Sequence, residues 1–303
     1  METIDKTRQA PVAPLAADGR GGFLSVDDKL FRHSFSKSAF LVAHRLSVHP
    51  LFAIDRLLAL ARALPPEFIE YNSGELPINC DPAQTPLNGL SVEETIRRIE
   101  HCKSWMVIKY VQHDAAYQEL LLQCLAEIRA HSDAVVPGMC LPEAFVFLSS
   151  PGALTPYHID HEHNFLLQIR GAKKITVMDG AAVSAVELER FYKGAHRNLV
   201  YDEKYEATAR QFELRPGVGI HVPVTFPHHV RVGNEVSISF SITFRTPDLY
   251  RRSNAHAFNA KLRASGFNPA PVGANPSRDA LKSLAMRAWQ RTSRVLRPVV
   301  KAP

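Results

Sequence analysis

Thr155-Pro156-Tyr157-His158-Ile159-Asp160 is the stretch on which the reading of this 303-residue chain turns. Side chains two apart on a strand project to the same side, so His158 and Asp160 can reach one ion while Ile159 points away. His228, seventy residues downstream, supplies a second imidazole. Two imidazoles and one carboxylate are the donor set of a mononuclear Fe(II) site with open positions. Neutral imidazoles suit borderline Fe(II), and the carboxylate offsets part of its charge. Three positions remain for a bidentate co-substrate and O2. Alone, His-x-Asp is weak. A chain with fourteen histidines produces it by chance, and two polar residues on a surface strand or turn is the competing reading.

The flanks shift the balance. Ala144–Ser150 (Ala-Phe-Val-Phe-Leu-Ser-Ser) is an apolar run with the length of a buried strand, and Pro151-Gly152 follows as a turn. Asn164–Arg170 and Lys173–Met178 read as two further strands around Gly171-Ala172. Val218–Val222 is another, closed by Pro223, and His228 arrives five residues later, before a strand over Glu235–Phe244. Both halves of the triad are thus expected on sheet.

These residues resemble a known family. Thr155-Pro-Tyr-His158-Ile-Asp160, Asn164-Phe165, Gln168-Ile-Arg-Gly171 and Lys173 are similar to the core of the JmjC and cupin-like 2-oxoglutarate oxygenases, notably the asparaginyl hydroxylase that inhibits hypoxia-inducible factor. Val222-Pro223-Val-Thr-Phe-Pro-His228 is similar to the family's closing motif, an apolar residue and Pro followed by four residues and the distal histidine. The resemblance covers residues 144 to 245. It implies a mainly β fold, a double-stranded β-helix of the cupin or jelly-roll kind, with α-helical N-terminal and C-terminal additions. It implies Fe(II) held by His158, Asp160 and His228, with 2-oxoglutarate and O2 as co-substrates. Lys173 would pair with the distal carboxylate of 2-oxoglutarate, Thr155 would hydrogen-bond the same group, and Asn164 and Ser241 would line the pocket. Ser241 departs from that asparaginyl hydroxylase, which has an amide there. Val224-Thr-Phe-Pro227 departs too, where Gly and tryptophans are usual.

Some choices can be argued from the residues. Lys173 shares parity with Ile175 and Val177, so a barrel burying those two turns Lys173 rather than Lys174 inward. A buried ammonium needs an anionic partner, which a dicarboxylate supplies; the alternative is that both lysines are solvated turn residues. No Arg-x-Ser pair follows His228, since Arg245 leads into Thr246-Pro247. His228 and His229 face opposite sides of a strand, leaving His229 outside the ligand set or exposed. A zinc-type cluster of His158, His161 and His163 is an alternative without cysteine support. His221 reads as a core histidine with a satisfied hydrogen bond. Ser237, Ser239, Ser241 and Thr243 alternate with apolar residues, giving a face of small hydroxyls that is either solvent-facing or the floor of a polar pocket.

With 46% hydrophobic residues, the chain can bury a full core. No stretch reaches membrane-spanning length. Residues 1–25 read as a disordered arm with neither the charge pattern nor the apolar centre of a signal peptide. The four cysteines are widely spaced and read as reduced thiols, pointing to the cytoplasm. Residues 26–140 form a helix-rich part flanking the barrel: a helix up to Pro65, another opened by the capping box Ser91–Glu94, a strand from Trp105 to Val111, and a helix from Asp114 to about His131. The catalytic core spans 141–247 and a helical extension 248–303.

Residues 278–303 hold seven of the 36 Lys and Arg and one of the 30 Asp and Glu, so the rest balances and this tail carries the whole net charge of +6. Leu281, Leu284, Ala285, Ala288, Val295 and Leu296 give it an apolar stripe. The readings open to it are docking on the barrel, a homodimer contact through the C-terminal helices, and peripheral contact with a membrane through residues 278–303; nucleic acid is disfavoured. The expected activity is Fe(II)/2-oxoglutarate-dependent hydroxylation of an unidentified substrate; the alternative is a non-catalytic cupin-like module that binds a metal or small molecule.

Overall fold

The computed structural model describes residues 21–295. Its strands are β1 (Leu24–Ser25), β2 (Phe40–His44), β3 (Ile69–Ser73), β4 (Ser104–Ile108), β5 (Cys140–Ser149), β6 (Leu154–His158), β7 (His163–Arg170), β8 (Lys173–Val177), β9 (Arg210–Leu214), β10 (Val218–Val222), β11 (His228–Val232) and β12 (Ser237–Arg245). The helices are α1 (Asp28–Ser34), α2 (Ile54–Ala63), α3 (Val92–Arg97), α4 (Ala115–Ser132), α5 (Ala185–Tyr192), α6 (Pro247–Ala264) and α7 (Pro276–Val295). Packing divides the chain into two compact units. One runs to Ala182 and includes Asn198–Arg245; the other joins Val183–Arg197 to the residues from Thr246 onward.

In the first unit an eight-stranded antiparallel sheet, ordered β1-β2-β10-β7-β12-β5-β4-β3, is accompanied by a four-stranded one, β6-β11-β8-β9. Strand parity sorts two cores. On β7 and β12, Phe165, Leu167 and Ile169 with Ile238, Phe240, Ile242 and Phe244 join the larger core, which also takes buried residues of α1, α2 and α4. From the opposite face of β7, Leu166 joins Ile175, Val177, Val218, Ile220, Val222 and Val230 in the smaller core inside the barrel. The expected double-stranded β-helix with helical additions is what forms.

Local chemistry sets several element ends. Ser91 Oγ accepts from Glu94 N while Glu94 reaches back to Ser91 N, completing the capping box of α3. Asp114 accepts from the first amides of α4. Gly171 turns β7 into β8 at φ 67°, and a Cβ there would come within 2.2 Å of the Val236 carbonyl oxygen. Residues 1–20 of the expected arm lie outside the described residues. At its end, β1 pairs with β2, and Glu127 accepts from Phe23 N and Leu24 N at 2.8 and 2.7 Å.

In the second unit, α5 carries its own capping box, Ser184 with Glu187. Arg263 of α6 donates through Nε to the buried carboxylate of Glu189 at 2.6 Å, and Tyr192 stacks on His256. Residues 183–197 lay within the expected catalytic core but pack with these helices.

Candidate metal centre

His158 is the last residue of β6 and His228 the first of β11, and the two are cross-strand partners. Partners directly opposite in a ladder share a face, so the two imidazoles converge, with ring centroids 4.1 Å apart. Asp160 lies just past the strand end rather than on it, which corrects the expectation of a strand-borne His-x-Asp pair. Its backbone is held instead by Thr225 N, which donates to Asp160 O at 2.9 Å from the loop between β10 and β11.

One ligand atom from each of His158, Asp160 and His228 lies within 4.8 Å of the others. His158 Nε2 is 4.0 Å from one carboxylate oxygen of Asp160, and His228 Nε2 is 3.7 Å from the other. Both separations exceed hydrogen-bond length and suit atoms sharing one ion. Each Nδ1 is already committed: His158 donates to Pro156 O at 2.7 Å and His228 to Phe226 O at 2.9 Å. With the proton on Nδ1, the Nε2 lone pair points to the centre, the tautomer a metal ligand needs. Both rings are buried. Two oriented imidazoles and a carboxylate fit a divalent first-row ion.

The other expected site residues lie in the same barrel. Asn164, on β7, donates to Asp160 Oδ2 at 3.5 Å and accepts from Ser241 Oγ at 2.9 Å. Ser241 therefore acts on the aspartate through Asn164, a more specific placement than pocket lining. Thr155 pairs with Val230 across a β-bulge that lets β6 spend three residues where β11 spends two. Without the bulge, Thr155 and His158, three apart, would face opposite ways.

Lys173 is buried and pairs with Val232, while Lys174 is exposed. Burial lowers the pKa of its ammonium to about 7, and no carboxylate is ion-paired with it among the described residues. The interior thus offers a cation site that calls for an anion.

The serine face of β12 is internal. Ser237, Ser239, Ser241 and Thr243 are all buried, which rules out the solvent-facing reading. Gln168 ties this floor together: Ser239 Oγ donates to its Oε1 at 2.6 Å, and its Nε2 donates to Ser237 Oγ at 3.0 Å.

The remaining histidines separate. His229 lies opposite His228, 3.8 Å from Glu206. His163 is buried on the far face of β7, stacked on Phe35, and His161 is at the surface, so the zinc-type trio does not assemble. His221 is only half satisfied: Nδ1 meets Asn164 O at 3.1 Å, while Nε2 has no hydrogen-bond partner among the described residues.

Sequence reading missed a charged rim beside Asp160. Arg245 donates to Glu162 at 3.0 Å and contacts His161, which is itself 2.6 Å from Glu162. Glu143 faces Thr243 across the β5–β12 ladder, and burial together with Glu162 pushes its carboxyl pKa up. In the sequence Arg245 figured only as the residue that leads into Thr246-Pro247 and so forms no Arg-x-Ser pair. Its partners, 83 and 84 residues away, were the missing information.

Residues 119–251 match the JmjC domain family, a span that includes every candidate site residue. The barrel is therefore a JmjC-type cupin fold. No curated protein matches the sequence. Among solved structures, the ycfD protein of E. coli is 16% identical, with a TM-score of 0.48 over 91% of this chain and 69% of that one. A structure of YcfD, described as a ribosomal oxygenase from Escherichia coli in complex with cobalt and 2-oxoglutarate, is 14% identical, with a TM-score of 0.47 over 92% and 69%.

Proposed function

We propose that this chain is an Fe(II)- and 2-oxoglutarate-dependent oxygenase, a hydroxylase, with His158, Asp160 and His228 as metal ligands and Lys173 as the anchor of the co-substrate. The observation that carries this is the pairing, inside one barrel, of a preoriented two-histidine, one-carboxylate set with a buried lysine that has no counter-charge among the described residues. When bound, the metal and 2-oxoglutarate supply O2-dependent oxidation coupled to loss of CO2 and formation of succinate.

The residues bind, orient and exclude water. Pro156 O and Phe226 O accept from the two Nδ1 atoms and aim both Nε2 atoms inward. Asn164, braced by Ser241, holds one carboxylate oxygen of Asp160. Lys173 sits four residues along the β8–β11 ladder from the His228 position, ~13 Å at ~3.3 Å per residue. A lysine side chain and a five-carbon dicarboxylate together bridge that span. Its ammonium would receive the distal carboxylate, and the hydroxyl of Thr155 would donate to the same group. Apolar Ile175, Val177 and Val230 keep the space between dry, which strengthens each of these contacts.

The alternative of a purely structural metal is less well supported. The triad lies at strand ends, and the barrel core is built from apolar residues that do not need an ion. The test is conversion of 2-oxoglutarate to succinate by the full chain with Fe(II) and O2, followed by NMR. Turnover that disappears in Asp160→Ala and under anaerobic conditions is expected. No turnover together with no metal retention would overturn the proposal, and unfolding on EDTA treatment would favour a structural ion.

A further inference from the structure

Helix α7 packs through one face and leaves another open. Ser283 and Met286 are buried, Lys282 donates to Ala270 O, and Gln290 reaches Asn254 of α6. Leu281, Leu284, Ala285 and Ala288, at helical spacing of three and four, form a separate exposed stripe. Leu281 and Leu284 are 67% and 58% exposed. Toward α6 the helix turns its other side, which leaves this stripe open.

Charge indicates what covers the stripe. Arg287 and Arg291 border it on one flank; Arg278 and Trp289, the latter 56% exposed with Lys261 over its ring, border it on the other. The only acid of α7, Asp279, is turned in, accepting from Gly273 N and lying beside Lys282. Beyond the described side chains the sequence adds Arg294, Arg297 and Lys301 and no acid. Two copies meeting along this stripe would bring their arginines together with no carboxylate to receive them. A nucleic-acid backbone would take the arginines but leave the leucines in water. An anionic lipid surface satisfies both, with acyl boundary for leucine and tryptophan and headgroup charge for arginine. We infer that the exposed face of α7 is a docking surface for anionic membranes, lying in the interface rather than crossing it. No helix among the described residues is long and apolar enough to span a bilayer. The inference is independent of the metal centre.

The test is co-sedimentation of the full chain with phosphatidylcholine vesicles, with and without about one-third phosphatidylglycerol. Binding to the anionic vesicles alone is expected, weakening as NaCl shortens the screening length. Arg287→Gln with Arg291→Gln should weaken it roughly thirty-fold at about five-fold per charge. Leu281→Ser with Leu284→Ser should weaken it about tenfold or more, with an unchanged melting curve because both side chains are already in water. In the wild-type chain the emission of Trp289, one of two tryptophans, should shift to the blue on vesicle binding. No binding to anionic vesicles, or binding indifferent to the leucine pair, would overturn the inference. So would duplex DNA displacing the vesicles, or a dimer without vesicle binding that the leucine variant dissociates.

Discussion

The two Nδ1 atoms of His158 and His228 are fixed by carbonyls two residues upstream, Pro156 O and Phe226 O. Each ligand thus carries its own orienting partner in the local chain, and the identity of the metal site resides in short segments. Removing one ligand should cost most of the affinity: His158→Ala should weaken Co(II) or Fe(II) binding by at least about a hundredfold, measured by titration. Asn164→Ala removes only the support of Asp160 and should cost about ten- to a hundredfold, the usual range for partners of metal ligands. Lys173 makes a different prediction. Its folded pKa of about 7 lies below the 10.5 of the exposed group, so between those values the unfolded chain binds more protons and stability rises with pH. Below pH 7 the buried charge is a constant cost. Lys173→Met should therefore raise the melting temperature of the ligand-free protein near neutral pH while abolishing the stabilisation that 2-oxoglutarate gives to the wild type, about 2.7 kcal/mol at a hundred times Kd. Equal stabilisation of both proteins by 2-oxoglutarate would remove Lys173 from the co-substrate site.

At the scale of elements, strands with a continuous apolar run or strict alternation could be read directly. Val218–Val222 matches β10 residue for residue, and the parity of Ile175 and Val177 placed Lys173 inward. The Ser91 capping box and the Asp114 cap were equally local. What could not be read depends on distant partners: the bulge that turns Thr155 inward, the short strands β2 and β9, and the rim that joins Arg245 to Glu162. The serine face of β12 is a further case. Alternation showed that two faces exist, but only the second sheet decides that the hydroxyl face is buried. The Gly171 turn carries a test of the element itself. With φ at 67° and the Val236 carbonyl in the way, Gly171→Ala should destabilise the fold by about 2 kcal/mol or more in denaturant unfolding. An unchanged midpoint would mean that the turn is more compliant than its geometry indicates.

For the whole molecule, four buried imidazoles should set the acid limit of stability. Burial lowers the His44, His163 and His256 pKa values to about 4 and His221 well below 6.5. A folded pKa below the unfolded 6.5 means that the unfolded state takes up protons first. Stability contributed by the neutral rings is present above pH 6.5 and is lost as pH falls from there toward 4. His163 packs between Phe35 and Phe244, so His163→Phe should flatten this limb in melts recorded from pH 7 to 4.5. An unaltered slope would exclude His163 as a contributor.

The most direct measurement on the metal centre is anaerobic titration of the full chain with Fe(II) and then 2-oxoglutarate, followed by visible absorption. A weak charge-transfer band should appear only when both are present, saturate at one iron per chain, and be absent in His158→Ala, Asp160→Ala and His228→Ala, all of which should keep the wild-type fold by circular dichroism. A wild-type protein that retains no iron and gives no band, or a band that survives loss of His228, would contradict the assignment.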